Sequence, residues 1–223
     1  MKSLISWSGG KDSCLALYKS IKRKLNVKLL LTSLDEKGSK IRSHGISKDL
    51  MFHQSQCLGI KIKFIKSSWE NYEKNFIKEL KLAKKNNFNL GVFGDIDLIE
   101  HKNWEEKVCE IAGISAHLPL WKESREKLVR EFLYKGFKAR VVCVDNRFLN
   151  NDYVGCEFDK YFISNLPKNV DICGENGEFH TFVYDGPIFK KPVFWKSLGK
   201  KAFISPAKYG SQKYFFDLLD IQE

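Results

Sequence analysis

The sequence predicts an α/β fold, in which a doubly wound parallel sheet is followed by a smaller C-terminal α+β domain. Short apolar runs alternate with helical patterns through the first half of the chain. This alternation is typical of a parallel sheet with helices on both faces. A glycine turn separates the first run from the first helical pattern, and the alternation changes after Trp121. We therefore expect two domains, residues 1–122 and residues 123–223.

The first elements are a strand at residues 4–7, a polar turn at residues 8–13, and a helix whose apolar spacing continues to Ile21. The turn reads Ser-Gly-Gly-Lys-Asp-Ser. Its glycines allow a sharp bend and bring backbone N–H groups close to a ligand. The first N–H groups of a helix lack partners within the helix, and the helix dipole attracts anions to them. The sequence therefore predicts a phosphate-binding loop.

We expect the whole loop to bind a nucleotide, with hydroxyls from the serines and a mobile surface cation from Lys11. The residues assigned to the nucleotide are Ser8, Gly9, Gly10, Lys11, Asp12 and Ser13. The loop differs from the common P-loop, which has a glycine five residues before its Gly-Lys pair and Ser or Thr after the lysine. Ile5 and Asp12 occupy those two positions here.

The elements that follow continue the alternation. A buried strand at residues 27–34 leads through a turn and through Arg-Ser-His-Gly at residues 42–45 to a helix at residues 47–58, which Gly59 ends. The remaining elements of the first half are a strand at 60–65, a helix at 70–86, a strand at 90–95 and a helix at 103–112. Ligands in such sheets bind at the carboxyl ends of strands. Ser33, Gly94 and Asp95 stand at such ends and are predicted to join the loop in binding the nucleotide.

The second half has a different order of elements. A helix at residues 124–134 precedes a strong strand at 137–145, and a short helix follows at 159–166. A polar segment with several glycines at residues 174–181 then leads into a strand at 181–184. Helices and strands in this order favour a smaller α+β domain packed over the first.

Acidic residues near the loop suggest a metal site. Asp12 begins the first helix, and Asp95 follows a strand end. Mg²⁺ bound to phosphates takes one or two carboxylates together with water. Asp12 and Asp95 are therefore the predicted Mg²⁺ ligands, although Asp12 could instead cap its helix. We assign Asp97 to the loop that follows.

Two further groups could take part in chemistry. His44 and His101 could act as acid–base or substrate groups, or as hydrogen-bonded structural histidines. Glu175 and Glu178 lie in a turn framed by glycines. Such a carboxylate pair could hold an ammonium group, orient an amine or accept its proton, and the alternative is a solvated acidic turn.

Four segments together resemble the diphthine–ammonia ligase family of N-type ATP pyrophosphatases. They are residues 8–13, 42–45, 93–96 and 173–181. The first segment is shared across the PP-loop superfamily, and the last is much more diagnostic. The resemblance implies an adenine nucleotide alpha hydrolase-like fold. It also implies an enzyme that adenylates a carboxylate, lets ammonia displace AMP, and releases pyrophosphate.

The resemblance further implies the partners and the site. The expected partners are ATP with Mg²⁺, ammonia, and a carboxylate acceptor that could be a protein side chain such as diphthine. Lys11, Glu175 and Glu178 are expected to be catalytic. The residues expected to bind the substrate are Arg42, His44, Gly45, Glu175, Glu178 and His180.

The chain also departs from the family. Asn176 and His180 replace a Gly and a Glu of the family's Glu-Gly-Gly-Glu-Phe-Glu-Thr pattern. These two differences affect the predicted identity of the acceptor more than the predicted type of reaction.

Two alternatives stay open: a PP-loop ATP pyrophosphatase that modifies tRNA, and a nucleotide-binding regulator without activity. Thiolating tRNA enzymes usually need reactive cysteine pairs, and the six cysteines here include no C-x-x-C pair. The second carboxylate cluster argues against a regulator.

Composition limits the remaining partners. The net charge is +11, but only six of the 38 basic residues are Arg, the type preferred for phosphate and base recognition. We therefore attribute the positive charge to a compositional bias and not to a nucleic-acid groove, although an acidic macromolecule would also be attracted.

We expect no membrane segment, because no apolar run is long enough. The scattered cysteines favour the cytoplasm, and a homodimer is compatible with the sequence.

Overall fold

The computed structural model describes residues 2–207 and 210–222, so the outermost residues of the two predicted domains lie outside the described residues. The first half forms a parallel sheet. Its strands are β1 (Lys2–Ser6), β2 (Asn26–Leu34), β3 (Lys61–Lys66), β4 (Phe88–Val92) and β5 (Ser115–His117). They lie in the order β3-β2-β1-β4-β5. Strand β1 is therefore central, with β2 and β3 on one side and β4 and β5 on the other.

Four helices cover this sheet. They are α1 (Lys11–Lys22), α2 (Lys48–Leu58), α3 (Tyr72–Lys85) and α4 (Ile99–Ala112). Buried residues of α1 and α2 pack on one face, and those of α3 and α4 pack on the other. The doubly wound α/β fold is therefore confirmed.

Local sequence signals account for both ends of α2. Ser47 begins α2 by accepting a hydrogen bond from the backbone N–H of Leu50 at 3.2 Å. Gly59 ends α2 in the left-handed conformation, with φ of 70°. The predicted start of α4 is wrong, because this helix begins at Ile99, four residues early. Leu98 at its N-cap makes no side-chain capping bond, so no capping residue marks the start of this helix in the sequence.

The second half forms an antiparallel sheet in the order β7-β6-β9-β8. Its elements are α5 (Arg125–Tyr134), β6 (Lys138–Asp145), α6 (Lys160–Ser164), β7 (Phe179–Asp185), β8 (Trp195–Ile204) and β9 (Lys213–Ile221). The smaller α+β arrangement is confirmed. The sequence did not predict β8 and β9. Most of β8 is exposed on both faces, so it lacks the alternation that marks a half-buried strand.

The two halves share a hydrophobic core. One cluster of buried side chains joins Trp7 and Leu50 of the first half with Val142 and Phe182 of the second. A separate cluster lies under α3 and α4 on the opposite face of the parallel sheet. The second half therefore covers the face of the sheet that carries α1 and α2. Within the described residues, no helix is long and apolar enough to cross a membrane.

Candidate active site

The loop of residues 8–13 connects β1 to α1 and curls back on itself. Gly9 has φ of +75°, a conformation that favours glycine. The Ser8 hydroxyl accepts a hydrogen bond from the N–H of Gly10 at 3.2 Å and lies 3.3 Å from the Ser13 hydroxyl. A Cβ atom on Gly10 would lie 2.9 Å from Nε2 of His44. The second glycine is therefore required by a close neighbour, whereas its own backbone, with φ of −87°, is open to any residue.

Strand β7 holds this loop from the other half of the chain. The N–H of Lys11 donates to Oγ1 of Thr181 at 3.0 Å, and the N–H of Val183 donates to the carbonyl of Gly9 at 2.9 Å. The buried amide of Gln54 donates to the carbonyls of Gly9 and Val183 at 3.1 and 2.7 Å. The sequence offered no signal for Gln54, which lies within α2 and is remote along the chain from both partners.

Other predicted residues meet the loop at the carboxyl end of the sheet. A Cβ atom on Gly94 would lie 3.1 Å from the backbone of Asp12 and of Ser13, so Gly94 lies directly against the start of α1. Ser33, at the end of β2, lies close enough to Tyr72 to influence the pKa of its hydroxyl. The strand ends therefore converge as parallel topology requires.

Lys11 is not the surface cation that the sequence suggested. Its side chain is 8% exposed, and its Nζ lies 2.6 Å from Oδ2 of Asp12. The ammonium group also lies 5.7 Å from the ring centre of Phe179. Burial acts to lower the pKa of Lys11, but the charges of Asp12 and neighbouring groups outweigh it and raise the pKa. Lys11 therefore stays positively charged beside the loop.

Glu175 joins the carboxylates beside Lys11. Burial, followed by the charge of Asp12, raises the pKa of Glu175 to about 8, while Lys11 acts in the opposite direction and Asp95 adds to the rise. Burial also raises the pKa of Asp12, with a further contribution from Asp95. Three acids from distant parts of the chain thus lie close enough to influence one another.

Asp95 is the centre of a hydrogen-bonded group that the sequence did not predict. Its Oδ1 atom lies 2.7 Å from Nδ1 of His101. Burial and the hydrogen bond to Asp95 raise the pKa of Glu105 to about 11, so this buried acid is protonated at neutral pH. Glu105 resembled an ordinary solvent-facing acid of a helix, and its burial depends on packing that the sequence does not display.

The donor set beside the loop suits Mg²⁺ that also binds phosphate oxygens. No group of three or more His, Cys, Asp or Glu side chains among the described residues is arranged to hold a metal ion. Mg²⁺ in phosphate-binding sites needs only one or two protein carboxylates, because phosphates and water complete its shell. Asp12 and Asp95 are near enough to affect each other's ionisation, so the pair fits that requirement.

The Arg-Ser-His-Gly segment, residues 42–45, forms a wall of the site beside Gly10 of the loop. The Arg42 guanidinium lies 4.5 Å from the ring centre of Trp69. Its buried Nε and Nη2 atoms have no hydrogen-bond partner among the described residues, and neither does Nδ1 of His44. The His44 and His180 rings have centroids 4.7 Å apart. Buried polar atoms without partners are uncommon in folded proteins, and a bound ligand is one group that could pair with them.

Both imidazoles of this wall are neutral at physiological pH. Burial, followed by the charge of His180, holds the pKa of His44 well below its ordinary value. Burial and the charge of Lys11 lower the pKa of His180 to about 4. Gly45 packs tightly beside them, since a Cβ atom there would lie 2.6 Å from Cδ1 of Phe216.

The structure separates the two predicted glutamates. Glu178 is buried, and its carboxylate accepts hydrogen bonds from the N–H of Asp171 at 3.2 Å and from the N–H and side-chain amide of Asn176 at 3.0 and 2.9 Å. These bonds fix the turn that carries Glu175. Glu178 therefore faces its own turn, whereas Glu175 faces Lys11 and Asp12.

Arg125 connects that turn to the parallel sheet. It donates two hydrogen bonds to Asp97 at 2.8 and 2.7 Å, and its Nη1 lies 3.0 Å from Asp171. Asp171 in turn accepts a hydrogen bond from the N–H of Glu175 at 2.7 Å. Asp97 lies in the loop after β4 as expected, but the sequence did not reveal its link to the Glu175 turn.

Comparisons with known proteins cover nearly the whole chain. The family model for the diphthamide synthase N-terminal domain matches residues 1–116, and the model for the diphthamide synthase C-terminal domain matches residues 124–213. Diphthine--ammonia ligase of Mus musculus is 33% identical over 93 residues, which are 40% of this chain and 35% of the relative. The Schizosaccharomyces pombe enzyme of that name is 24% identical over 216 residues, which are 86% of this chain and 36% of the relative. The chain thus matches only about a third of these relatives' length.

A solved structure shows a weaker likeness. It is described as a predicted subunit of tRNA methyltransferase from Methanocaldococcus jannaschii DSM. It is 17% identical, with a TM-score of 0.43, and covers 86% of this chain and 100% of the other. This similarity is too low to support an inference.

Proposed function

The chain belongs to the diphthamide synthase family, and we propose that it is an ATP-dependent ligase that converts a carboxylate into an amide with ammonia. The proposed by-products are AMP and pyrophosphate, and the proposed acceptor is a protein side chain such as diphthine. One observation carries the proposal: β7 is hydrogen-bonded to the phosphate loop through Lys11 and Thr181. This contact brings the Glu175 turn next to the place where phosphates would bind.

The first step is formation of an acyl-adenylate. The N–H groups at the start of α1, together with Lys11 and the hydroxyls of Ser8 and Ser13, bind the phosphate chain. An acceptor carboxylate oxygen attacks the α-phosphorus, and the bond to the pyrophosphate oxygen breaks. Lys11 stabilises the charge on the departing pyrophosphate because it is a buried cation beside the loop.

Asp12 and Asp95 would hold Mg²⁺ in this complex. Bound there, the ion would neutralise phosphate charge as the leaving group departs. Asp12 lies at the start of α1 and Asp95 in the loop after β4, and the two segments meet where Gly94 touches α1.

The second step transfers ammonia. Ammonia attacks the acyl carbon, the bond between that carbon and the AMP oxygen breaks, and the new nitrogen centre loses a proton. Glu175 is the proposed proton acceptor, because its pKa of about 8 lies close to the operating pH. The hydrogen bonds of Glu178 favour a positioning role over the catalytic role predicted from the sequence.

Arg42 is the proposed ligand for the acceptor carboxylate. Its guanidinium carries buried donors without partners and lies over the Trp69 ring, so its in-plane N–H donors are already oriented for an anion. The neutral rings of His44 and His180 line the same wall. An acceptor there would lie beside Gly10, since His44 closely approaches that residue.

The adenylation step can be tested without ammonia. The assay measures exchange of labelled pyrophosphate into ATP when a protein that bears diphthine is present. We expect exchange that depends on the acceptor and on Mg²⁺, and loss of this exchange in Arg42→Ala but not in Arg130→Ala, an exposed control. Release of ADP and phosphate, or exchange stimulated by bulk tRNA instead of the acceptor protein, would contradict the proposal.

A further inference from the structure

Strand β8 is a solvent-exposed edge of the antiparallel sheet. It is ten residues long and pairs only with β9 among the described strands. Every residue after Trp195 in this strand is exposed. The backbone groups on the outer side of an edge strand can pair with another extended chain. The surface formed by residues 195–204 is called the β8 edge below.

The β8 edge combines positive charge with apolar side chains. It contains Lys196, Lys200 and Lys201 and no acidic residue. Its large apolar side chains are more than half exposed, namely Leu198 at 61%, Phe203 at 52% and Ile204 at 62%. Apolar groups beside lysines suit a partner strand that alternates apolar and acidic residues.

The β8 edge is continuous with the wall formed by residues 42–45, where the acceptor carboxylate is proposed to bind. Lys201 and Phe203 lie opposite Phe216 and Tyr214 of β9, so these four side chains share one face of the sheet. The rings of Phe203 and Phe216 have centroids 6.3 Å apart. Phe216 also packs against Gly45, the residue that follows His44. A chain bound at this edge would therefore lie near the wall formed by residues 42–45.

We propose that the β8 edge binds an extended acidic segment of the polypeptide that carries the acceptor carboxylate, as an added β-strand. This inference rests on the proposed function, because it supplies the docking site for a macromolecular acceptor. The positive charge of the β8 edge favours an acidic strand over a second copy of this chain. A second copy would bring three more lysines to the same edge, which like-charge repulsion disfavours, whereas an acidic strand would bring carboxylates there.

The test uses a fluorescent peptide of alternating Glu and Val as the probe and the full chain without nucleotide. A second probe of the same charge has proline at alternate positions, so it cannot form a strand. We expect the first probe to bind and the proline probe to fail. We expect Lys196→Glu/Lys201→Glu to weaken binding about tenfold or more, as loss of charge complementarity does. The matched control is Lys78→Glu/Lys81→Glu on exposed positions of α3.

Other results would overturn the proposal. Equal binding of the proline probe, or equal loss in the α3 control, would indicate general charge attraction. Dimers that dissociate in the β8 variant, or tighter β8-dependent binding of an RNA oligonucleotide, would assign the edge to a different partner. Lys196→Gln/Lys201→Gln provides a second test if charge reversal impairs folding, and it should weaken binding in the same direction. Because the assay contains no ATP, its failure would leave the ligase proposal untouched.

Discussion

Lys11 and Thr181 are 170 residues apart in the chain, yet the backbone N–H of one donates to the side-chain oxygen of the other at 3.0 Å. The bond satisfies one of the N–H groups at the start of α1 that lack a partner within the helix. It therefore fixes the end of the helix that is proposed to bind phosphate, and it makes the nucleotide site depend on both halves of the chain.

Thr181→Val tests this bond, because valine keeps the shape of threonine and removes the acceptor. We expect the free energy of unfolding to fall by about 1–3 kcal/mol, the usual cost of a buried donor left without a partner. ATP binding should weaken as well. Chemical denaturation and calorimetric titration would measure the two effects. Thr181→Ser is the control, and it should retain most of the affinity if the hydroxyl is the relevant group.

Lys11→Ala should weaken ATP binding about tenfold or more and stop AMP formation, because it removes a charge-assisted contact to phosphate. The buried position of Lys11 adds a loss of stability that a surface lysine would not show. Titration with ATP and Mg²⁺, together with thermal unfolding, would measure both effects. The control is Lys22→Ala, at the exposed far end of α1. Equal ATP affinity in the Lys11 variant and wild type would remove Lys11 from the mechanism.

Glu175→Gln should leave pyrophosphate exchange intact and slow amide formation by about 10²–10⁴-fold, the usual contribution of a general base. The sign of the pH dependence follows from the pKa of Glu175, about 8. The carboxylate form increases as pH rises through that value, so the wild-type rate of ammonia transfer should rise there. Rates must be compared at a fixed concentration of neutral ammonia, because that species also increases with pH. Under this condition, a pH profile that keeps the rise in the variant would argue against Glu175 as the base.

Glu178→Gln should act differently from Glu175→Gln. Its carboxylate accepts hydrogen bonds from two backbone N–H groups and one amide, and a glutamine would direct its own N–H₂ group at one of these donors. We expect lower thermal stability and faster hydrogen exchange in residues 171–178. Unchanged stability with a selective loss of ammonia transfer would instead support the catalytic role first predicted for Glu178.

The paired imidazoles make stability depend on pH. The pKa of His180 is about 4 in the folded chain, below its ordinary value near 6.5. The unfolded state therefore binds more protons between these values, and stability should fall as pH decreases through this range. His180→Gln should make the dependence shallower in denaturant unfolding measured from pH 7 to pH 4. Parallel curves for the variant and wild type would contradict this assignment.

The sequence could predict the loop and the sheet because their signals are local. The glycines, the helical spacing after Ser13 and the strand end at Ser33 depend on neighbouring residues, whereas the strand predicted to reach Asp95 ends at Val92. The roles of Gln54 and Glu105 could not be predicted in this way. Gln54 acts through carbonyls on β7 and in the loop, and Glu105 acts through burial beside Asp95. Such roles depend on packing between distant segments, which one sequence does not display.

The hydrogen bond between Val183 and Gly9 also bears on synthesis of the chain. A ribosome completes the phosphate loop early, but the strand that holds it emerges only after about 170 more residues. Until then Gly9 and the first N–H groups of α1 lack these partners, and the apolar face of the sheet that later meets Phe182 stays uncovered. The nascent first half should therefore neither bind ATP tightly nor resist proteolysis, and both properties should develop together once β7 has left the exit tunnel.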